Sequence, residues 1–268
     1  MPYTSRLSPN ALIIGDDTPE REYRARHLGT GFQAKPPSEY LRDGYSKPFP
    51  LPTIPREEWA ERIEERERTN SKLRDIKKWA GFRSLNQGSL GYCWVFAPTQ
   101  ALHYLRAVHG FAHVPLSPAS VGAPIKNYRN VGGWGSEALA YMVEHGTVPQ
   151  EMWPATSLDR KLDNAETKAV RKHFKVEEFW ELKPRNFDEL ATCLLYGFPV
   201  AVGYNWWGHE VLAHDLLRLE SGEYAIEIDN SWGGWGDEGH GILKGTKALP
   251  DEAVAPRVMT HYPGDSNA

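Results

Sequence analysis

Residues 86–97, NQGSLGYCWVFA, carry the strongest structural and chemical signal in this 268-residue chain. The apolar residues after Cys93 predict a helix that begins at the cysteine and runs to about Val108, before Gly110. A cysteine at a helix N-terminus lies at the positive end of the helix dipole, which favours the thiolate over the thiol. Gln87, six residues earlier, carries amide N–H groups that can hold a developing oxyanion. The stretch therefore predicts a nucleophilic thiol with an oxyanion donor beside it.

The last third of the chain offers partners for this thiol. His214 and Asn230 could complete a Cys-His-Asn arrangement, in which the imidazole takes the thiol proton and the amide fixes the imidazole. His209 lies five residues before His214 and competes with it for the role of base. The residue types therefore predict thiol-based nucleophilic catalysis.

Three ordered blocks of sequence resemble the papain-like cysteine peptidases. The pattern Gln-Gly-x-x-Gly-x-Cys-Trp-x-Phe surrounds Cys93, with the Gln-to-Cys spacing of six preserved. A Leu-Ser pair at 116–117 precedes Gly-Gly-Trp at 132–134, and His214 lies sixteen residues before the Asn-Ser-Trp-Gly turn that begins at Asn230. The resemblance covers roughly residues 80–245. It implies an α+β, papain-like fold with a helical left subdomain, an antiparallel barrel-like right subdomain and the cleft between them.

The resemblance implies a catalytic role for four residues. Cys93 would be the nucleophile, Gln87 would hold the oxyanion together with the Cys93 backbone N–H, and Asn230 would orient the base. Of the two histidines, only His214 has the family's sixteen-residue spacing to Asn230. We therefore expect His214 to be the base, with His209 as the disfavoured alternative.

The resemblance also predicts a substrate groove for a peptide or protein. The backbone of Gly132 and Gly133 would pair with an extended peptide like an added strand, and Trp134 would form one wall. An ordinary glycine turn is the alternative at this point. Trp232 would cover the imidazole–amide hydrogen bond from water, which strengthens it, or would simply pack in the core. Side-chain preference does not follow from the sequence.

Composition bounds the class of function. Hydrophobic residues make up 40% and charged residues 25% of the chain, as is ordinary for a globular protein. The net charge of -4 gives no indication of nucleic-acid binding, and no apolar run approaches the length of a membrane span. His103, His109 and His240 show no spacing with acidic or cysteine partners that would indicate a metal site. We expect no cofactor, no nucleic acid and no membrane partner.

The chain has two cysteines, Cys93 and Cys193. Cys193 lies in an apolar helical pattern, so we expect it to be a buried core thiol. Secreted members of the family usually carry a disulfide, and the two positions that it joins hold Leu90 and Asn130 here. Without bridges and without a recognisable leader, the chain is expected in the cytoplasm, with leaderless export or incorporation into an assembly as alternatives.

Three regions are predicted along the chain. Residues 1–55 hold nine of the twenty prolines and are predicted to form an extended arm. Residues 56–79 are charged and helical, either as one helix with a broken apolar stripe or as two shorter helices, and residues 80–268 form the catalytic domain. The helical inhibitory prosegment pattern of the family is not recognisable in residues 1–79. We therefore expect the arm to wrap the domain or dock a protein partner, and not to plug the cleft.

The sequence thus predicts a cysteine peptidase that hydrolyses peptide bonds through an acyl-enzyme. The alternative is a papain-fold scaffold or binding protein with weak or no catalysis, docked into a larger assembly by residues 1–55.

Overall fold

The computed structural model describes residues 3–25, 27–36 and 46–259, and the statements below concern that part of the chain. In chain order the helices are α1 (Glu20–Tyr23), α2 (Arg56–Arg68), α3 (Leu73–Ala80), α4 (Cys93–Val108), α5 (Ala119–Ile125), α6 (Gly135–Glu144), α7 (Ala165–Arg171), α8 (Phe187–Leu195) and α9 (Trp235–Glu238). The strands are β1 (Ile13–Ile14), β2 (Ser46–Pro48), β3 (Val176–Glu181), β4 (Val200–Tyr204), β5 (His209–Arg218), β6 (Tyr224–Asp229), β7 (His240–Leu243) and β8 (Glu252–Met259).

Among the described residues the strands form one sheet in the order β1-β7-β6-β5-β4-β8-β3-β2. Neighbours from β7 to β3 are antiparallel, whereas the edge strands β1 and β2 join in parallel. Helices dominate the first half of the chain and antiparallel strands the second. The predicted α+β class and papain-like layout are confirmed.

The predicted helix behind the nucleophile is α4, and its side chains are buried on nearly every side. Its apolar residues pack against α6 and β3 in one hydrophobic cluster, and the other face of the sheet packs against α2 and α8 in a second. Val200 and Val202 of β4 belong to the second cluster and Ala201 to the first, as expected when alternate residues of a strand point to opposite faces. The sheet is therefore covered on both sides, and the start of α4 lies against it.

The charged stretch after the arm forms two helices, the second of the two patterns expected for it. Asn70, between α2 and α3, has a φ of 51°, a left-handed conformation that a continuous helix does not accommodate. Trp59 and Ile63 of α2 are buried in the cluster shared with α8. Burial of each contributes about 1.5–3 kcal/mol, enough to hold an otherwise charged helix on the domain.

The N-terminal arm wraps the strand-rich half. β1 extends the sheet beside β7, with Ile14 fully buried, and Tyr23 and Ile54 join the same core. The Trp235 side chain donates from Nε1 to the Tyr23 carbonyl at 2.8 Å. The arm is thus built into the domain, while the proposed division at residues 55 and 79 stays a prediction.

Hydrogen bonds join the two segments that a disulfide links in secreted relatives. The Gly91 N–H donates to Asn130 Oδ1 at 2.7 Å, and the Tyr92 hydroxyl donates to the Arg129 carbonyl at 2.7 Å. The segments that contain Leu90 and Asn130 are therefore joined by hydrogen bonds and not by a disulfide.

Candidate active site

Cys93 is the first residue of α4 and is fully buried. Burial, followed by the charge of Glu210, raises the pKa of its thiol to about 12. The backbone groups of Glu210, Trp94 and Phe32 hydrogen-bond to the sulfur and oppose this rise. The predicted dipole effect is thus outweighed by burial, and in this structure the group is a thiol rather than a thiolate.

The Gln87 side-chain amide, predicted to be the oxyanion donor, is fully buried and hydrogen-bonded at both ends. Its Oε1 accepts from the Ser231 hydroxyl, which fixes the orientation of the amide, and its Nε2 points away from that contact. Nε2 donates to the backbone carbonyl of Gly29 at 3.0 Å and to that of Leu90 at 2.6 Å. The Gln87 Nε2 group is thus already engaged by two backbone carbonyl oxygens.

His209, and not His214, contacts Asn230. His209 Nε2 lies 2.8 Å from Asn230 Oδ1, and the Trp232 indole stacks on the imidazole at 4.4 Å between ring centroids. Because Asn230 Oδ1 is an acceptor, the proton of the neutral ring lies on Nε2 and leaves Nδ1 unprotonated. Nδ1 is buried and has no hydrogen-bond partner among the described residues. Trp232 covers the hydrogen bond between His209 and Asn230, which is one of the two roles expected for it.

The prediction that His214 is the base is therefore wrong. Both of its ring nitrogens are engaged: Nδ1 lies 2.9 Å from Asp215 Oδ2, and Nε2 lies 3.0 Å from His240 Nδ1. The ring stacks on Tyr104 of α4 inside the protein. It contacts neither Asn230 nor the start of α4 through either nitrogen.

The length of β5 explains the error. β5 begins at His209, directly after a tight connection from the end of β4 at Tyr204. Leu212 pairs with Asp229, so Asn230 lies beyond the end of that register, on the side of His209. The family spacing assumed a shorter hairpin, and the spatial partner of Asn230 is consequently twenty-one residues away rather than sixteen.

His214 instead belongs to a buried charge network. His214, Glu227 and His240 offer three potential metal ligands within 4.8 Å of one another. Those donors are already used, since Arg74 pairs with Glu227 and the Lys77 ammonium lies 3.1 Å from His240 Nε2. Two internal cations thus take the place that a metal ion would have, and the arrangement holds α3 against β5 and β6.

Gly29–Gln33 of the N-terminal arm crosses the cleft. On the helical side, the Gly29 N–H donates to the Gly88 carbonyl at 2.8 Å, and Phe32 pairs in parallel with Gly133. On the strand side, the N–H groups of Gly31 and Phe32 both donate to the Gly208 carbonyl at 3.1 Å. The expectation that the arm leaves the cleft open is wrong, because this segment is bonded to both walls.

Two glycines let the segment approach so closely. A Cβ added to Gly29 would lie 2.0 Å from the Leu90 carbonyl oxygen, and one added to Gly31 would lie 2.1 Å from that of Gly91. Backbone atoms cannot give way by such amounts, so only glycine fits. The Gly-Thr-Gly-Phe pattern at 29–32 is the sequence signal of this close approach, and it is not part of a helical prosegment pattern.

Two of the predicted groove residues, Gly132 and Gly133, contact the same segment of the arm. Gly133 donates to the Gly31 carbonyl at 3.0 Å and accepts from the Gln33 N–H at 2.8 Å, which is strand-like pairing rather than a simple turn. A Cβ on Gly132 would lie 2.4 Å from the Gly31 oxygen, so this glycine too permits close approach. Trp134 is half-buried at the start of α6, with Lys126 Nζ 5.0 Å from the ring centroid.

Cys193 lies far from these residues in sequence and is buried in α8, as predicted.

Comparisons with known proteins agree with the fold. No family model matches the chain. It is 30% identical to cathepsin L 2 of Paramecium tetraurelia over 176 residues, which is 60% of this chain and 54% of that protein. The chain therefore spans about half the length of the curated relatives it matches.

Solved structures show the same likeness. Digestive procathepsin L 3 of Tenebrio molitor superposes with a TM-score of 0.63 at 18% identity, covering 87% of this chain and 76% of that one. Xylellain, a cysteine protease from Xylella fastidiosa, superposes with a TM-score of 0.58 at 18% identity, covering 88% and 98%. The chain is thus similar in sequence to cathepsin L and shares the fold of papain-like cysteine proteases.

No helix in the described ranges is both long and apolar enough to cross a membrane. The cytoplasmic setting inferred from the cysteines has no support from the relatives and stays a prediction.

Proposed function

We propose that this protein hydrolyses peptide bonds, with Cys93 as nucleophile, His209 as base, Asn230 as the group that orients the imidazole and Gln87 as oxyanion donor. The contact of His209 with Asn230 carries this proposal. It leaves a buried, unprotonated Nδ1 on a residue whose neighbour, Glu210, hydrogen-bonds through its backbone to the Cys93 sulfur. That nitrogen is the acceptor that a thiol nucleophile requires.

The proposed reaction follows from these positions. His209 Nδ1 takes the thiol proton, and the Cys93 sulfur bonds to the substrate carbonyl carbon. The oxyanion is held by Gln87 Nε2 and by the Cys93 backbone N–H, which lacks an intrahelical partner at a helix start. The imidazolium then gives its proton to the leaving amine as the C–N bond breaks. Water, deprotonated by His209, cleaves the thioester and restores the thiol.

We also propose that the protein as it stands is latent. Gly29–Gln33 fills the cleft, its Gly29 carbonyl takes the Gln87 amide, and the Trp232 indole donates to the same oxygen at 3.0 Å. Burial raises the pKa of Cys93 to about 12 and lowers the pKa of His209 to about 4. The thiolate–imidazolium pair therefore does not form while the segment is in place.

The alternative is a binding protein whose cleft is permanently filled. The filled cleft itself favours this alternative over an openly active enzyme. Docking of a protein partner through residues 1–55 has less support, because Ile14, Tyr23 and Ile54 are buried within the chain's own core. Both functions predict little activity for the intact chain, and they differ in what happens when the segment is displaced.

Substitution of Gly31 by Val displaces the segment without touching a catalytic residue. The added side chain meets the Gly91 backbone, so we expect hydrolysis of a fluorogenic peptide library to rise at least tenfold over the wild type. Gly234→Ala is the matched control, because a Cβ there meets nothing within 4 Å, and its rate should equal that of the wild type.

An increase that disappears when Cys93→Ala is added supports the proposed peptidase. If Gly31→Val is folded, binds peptides in its open cleft and cleaves none of them, the protein is a binding module and the proposed function is wrong.

A further inference from the structure

The cleft holds an acidic side chain that neither the proposed chemistry nor the fold uses. Glu210 follows His209 on β5 and is fully buried, and neither of its carboxyl oxygens has a hydrogen-bond partner among the described residues. Burial of an unpaired carboxyl group costs several kcal/mol when it stays ionised, so such groups are rare unless they have a task. The missing partner of Glu210 is therefore a candidate ligand group.

The sheet places a second carboxyl group beside the first. Gly203 of β4 pairs with Glu210 on one side and with Glu252 of β8 on the other. Residues directly opposite on neighbouring antiparallel strands point to the same face, so the two acidic side chains flank Gly203. Gly203 has no side chain, and the Phe32 ring fills the space above it: a Cβ there would lie 2.2 Å from the ring.

Gly135 has no side chain and so leaves room for the carboxyl group of Glu210. A Cβ on Gly135 would lie 2.2 Å from Glu210 Oε1, so any larger residue would push the carboxyl group away. Glu252 is held in place by the N–H groups of Gly135 and Ser136, at 3.0 and 3.1 Å, and by the Ser136 hydroxyl at 2.8 Å. One carboxyl group is therefore fixed, and the other is unpaired beside it.

The electrostatics of this pair favour a positive charge. Burial, and then repulsion from Glu252, raises the pKa of Glu210 well above its usual range, and the nearby Gly135 N–H, which donates to Glu252, opposes this rise only in part. Burial also raises the pKa of Glu252 to about 6, and nearby Glu181 adds to that rise. The arm itself brings a cation to this wall, since the buried Lys35 ammonium lies 3.3 Å from Glu181 Oε1.

We infer that Phe32 occupies a substrate subsite, with Gly203, Glu210 and Glu252 as its floor, that selects an arginine or lysine side chain. The inference rests on the proposed peptidase function and names its substrate class. The apolar stem of either side chain can lie where the Phe32 ring lies, with the charged end between the carboxyl groups. A guanidinium makes charge-assisted, bidentate bonds there, whereas an aliphatic side chain leaves Glu210 unpaired.

Binding tests the inference apart from catalysis. The Gly31→Val/Cys93→Ser double variant has an open cleft and no nucleophile, and calorimetry can measure its affinity for blocked peptides that differ at one position. We expect arginine or lysine to bind at least tenfold more tightly than norleucine, their uncharged counterpart, at the residue that pairs with Gly133. Adding Glu210→Gln or Glu252→Gln, which keep the shape and remove the charge, should reduce that ratio to about threefold or less.

Glu220→Gln is the matched control, because it removes one negative charge at an exposed turn outside the cleft. It should leave the ratio unchanged. Equal binding of arginine and norleucine, or a preference that survives both Glu210→Gln and Glu252→Gln, overturns the inference. Failure of the proposed function has a different signature: the arginine preference in binding persists while Gly31→Val with an intact Cys93 cleaves no peptide.

Discussion

His209 and His214 lie on the same strand, five residues apart, and are equally buried, yet they are chemically opposite. His214 has both ring nitrogens engaged, with Asp215 and with His240, and it serves the packing of α3 against the sheet. His209 has one nitrogen bonded to Asn230, and its other nitrogen has no partner in the part of the chain that the structure describes. Because only His209 contacts Asn230 and keeps an unsatisfied buried nitrogen among the described residues, His209 is the base in the proposed mechanism.

The largest expected effect is on the reaction rate. In the open Gly31→Val background, His209→Ala should lower kcat/KM by about 10³- to 10⁴-fold, since proton transfer and the nucleophile act as one unit. His214→Ala should stay within a few fold, because its contacts are internal. Steady-state kinetics on one fluorogenic peptide measures both. Retention of activity by His209→Ala together with its loss in a folded His214→Ala protein would restore the spacing argument.

The pH dependence of stability separates His209 from residues that do not titrate. Burial lowers the folded-state pKa of His209 to about 4, below the unfolded value of about 6.5. As pH falls through this window the unfolded chain binds the proton first, so stability present above pH 6.5 is lost towards pH 4. Denaturant unfolding should therefore show a loss about 3 kcal/mol larger for the wild type than for His209→Asn between these pH values.

The other buried histidines titrate in both proteins and cancel in that difference. Identical pH profiles for the wild type and His209→Asn would mean that His209 is solvated and that the cleft is not sealed.

His214 should matter for stability where His209 matters for rate. Replacing it with Phe keeps the stacking on Tyr104 but removes one hydrogen-bond partner from each of Asp215 and His240. We expect a loss of about 2–3 kcal/mol in the free energy of unfolding, which is the usual cost of breaking a buried polar network. Chemical denaturation at neutral pH measures this loss. A fully stable His214→Phe protein would show that the network is dispensable.

The smallest effect is expected at Asn230. Asn230→Ala removes the group that orients His209 but leaves the nitrogen that takes the proton, so kcat should fall only about tenfold in the open background. Asn230→Asp, which retains an acceptor, should recover part of that loss. A loss as large as that of His209→Ala would give Asn230 a direct part in the chemistry.

The sequence predicted those parts of the structure that depend on local patterns. The helix from Cys93 to Val108 follows from a pattern of neighbouring residues whose geometry is short-range. Cys193 in α8 was also recognised from its apolar helical pattern.

Two features depended on non-local geometry and were predicted wrongly. The choice of His214 relied on a fixed hairpin length, which the early start of β5 changes. The segment Gly29–Gln33 crosses the cleft through contacts with residues that lie far away in the sequence, of which Gln87 is among the nearest. A local sequence pattern does not predict such contacts. Glu210 and Glu252 were missed for the same reason, since only the register of three strands brings them together.

The alkylation rate of Cys93 as a function of pH tests the central claim most directly. Iodoacetamide reacts with the thiolate, so mass-resolved labelling reports the pKa of Cys93 separately from that of Cys193. We expect wild-type Cys93 to be unreactive at neutral pH. In Gly31→Val, Cys93 should react at a pH well below the free-thiol pKa of about 8.5. Adding His209→Ala should abolish this shift in the pKa of Cys93, whereas adding His214→Ala should not. Equal labelling of Cys93 in the wild type and in Gly31→Val, or a shift that depends on His214, would contradict it.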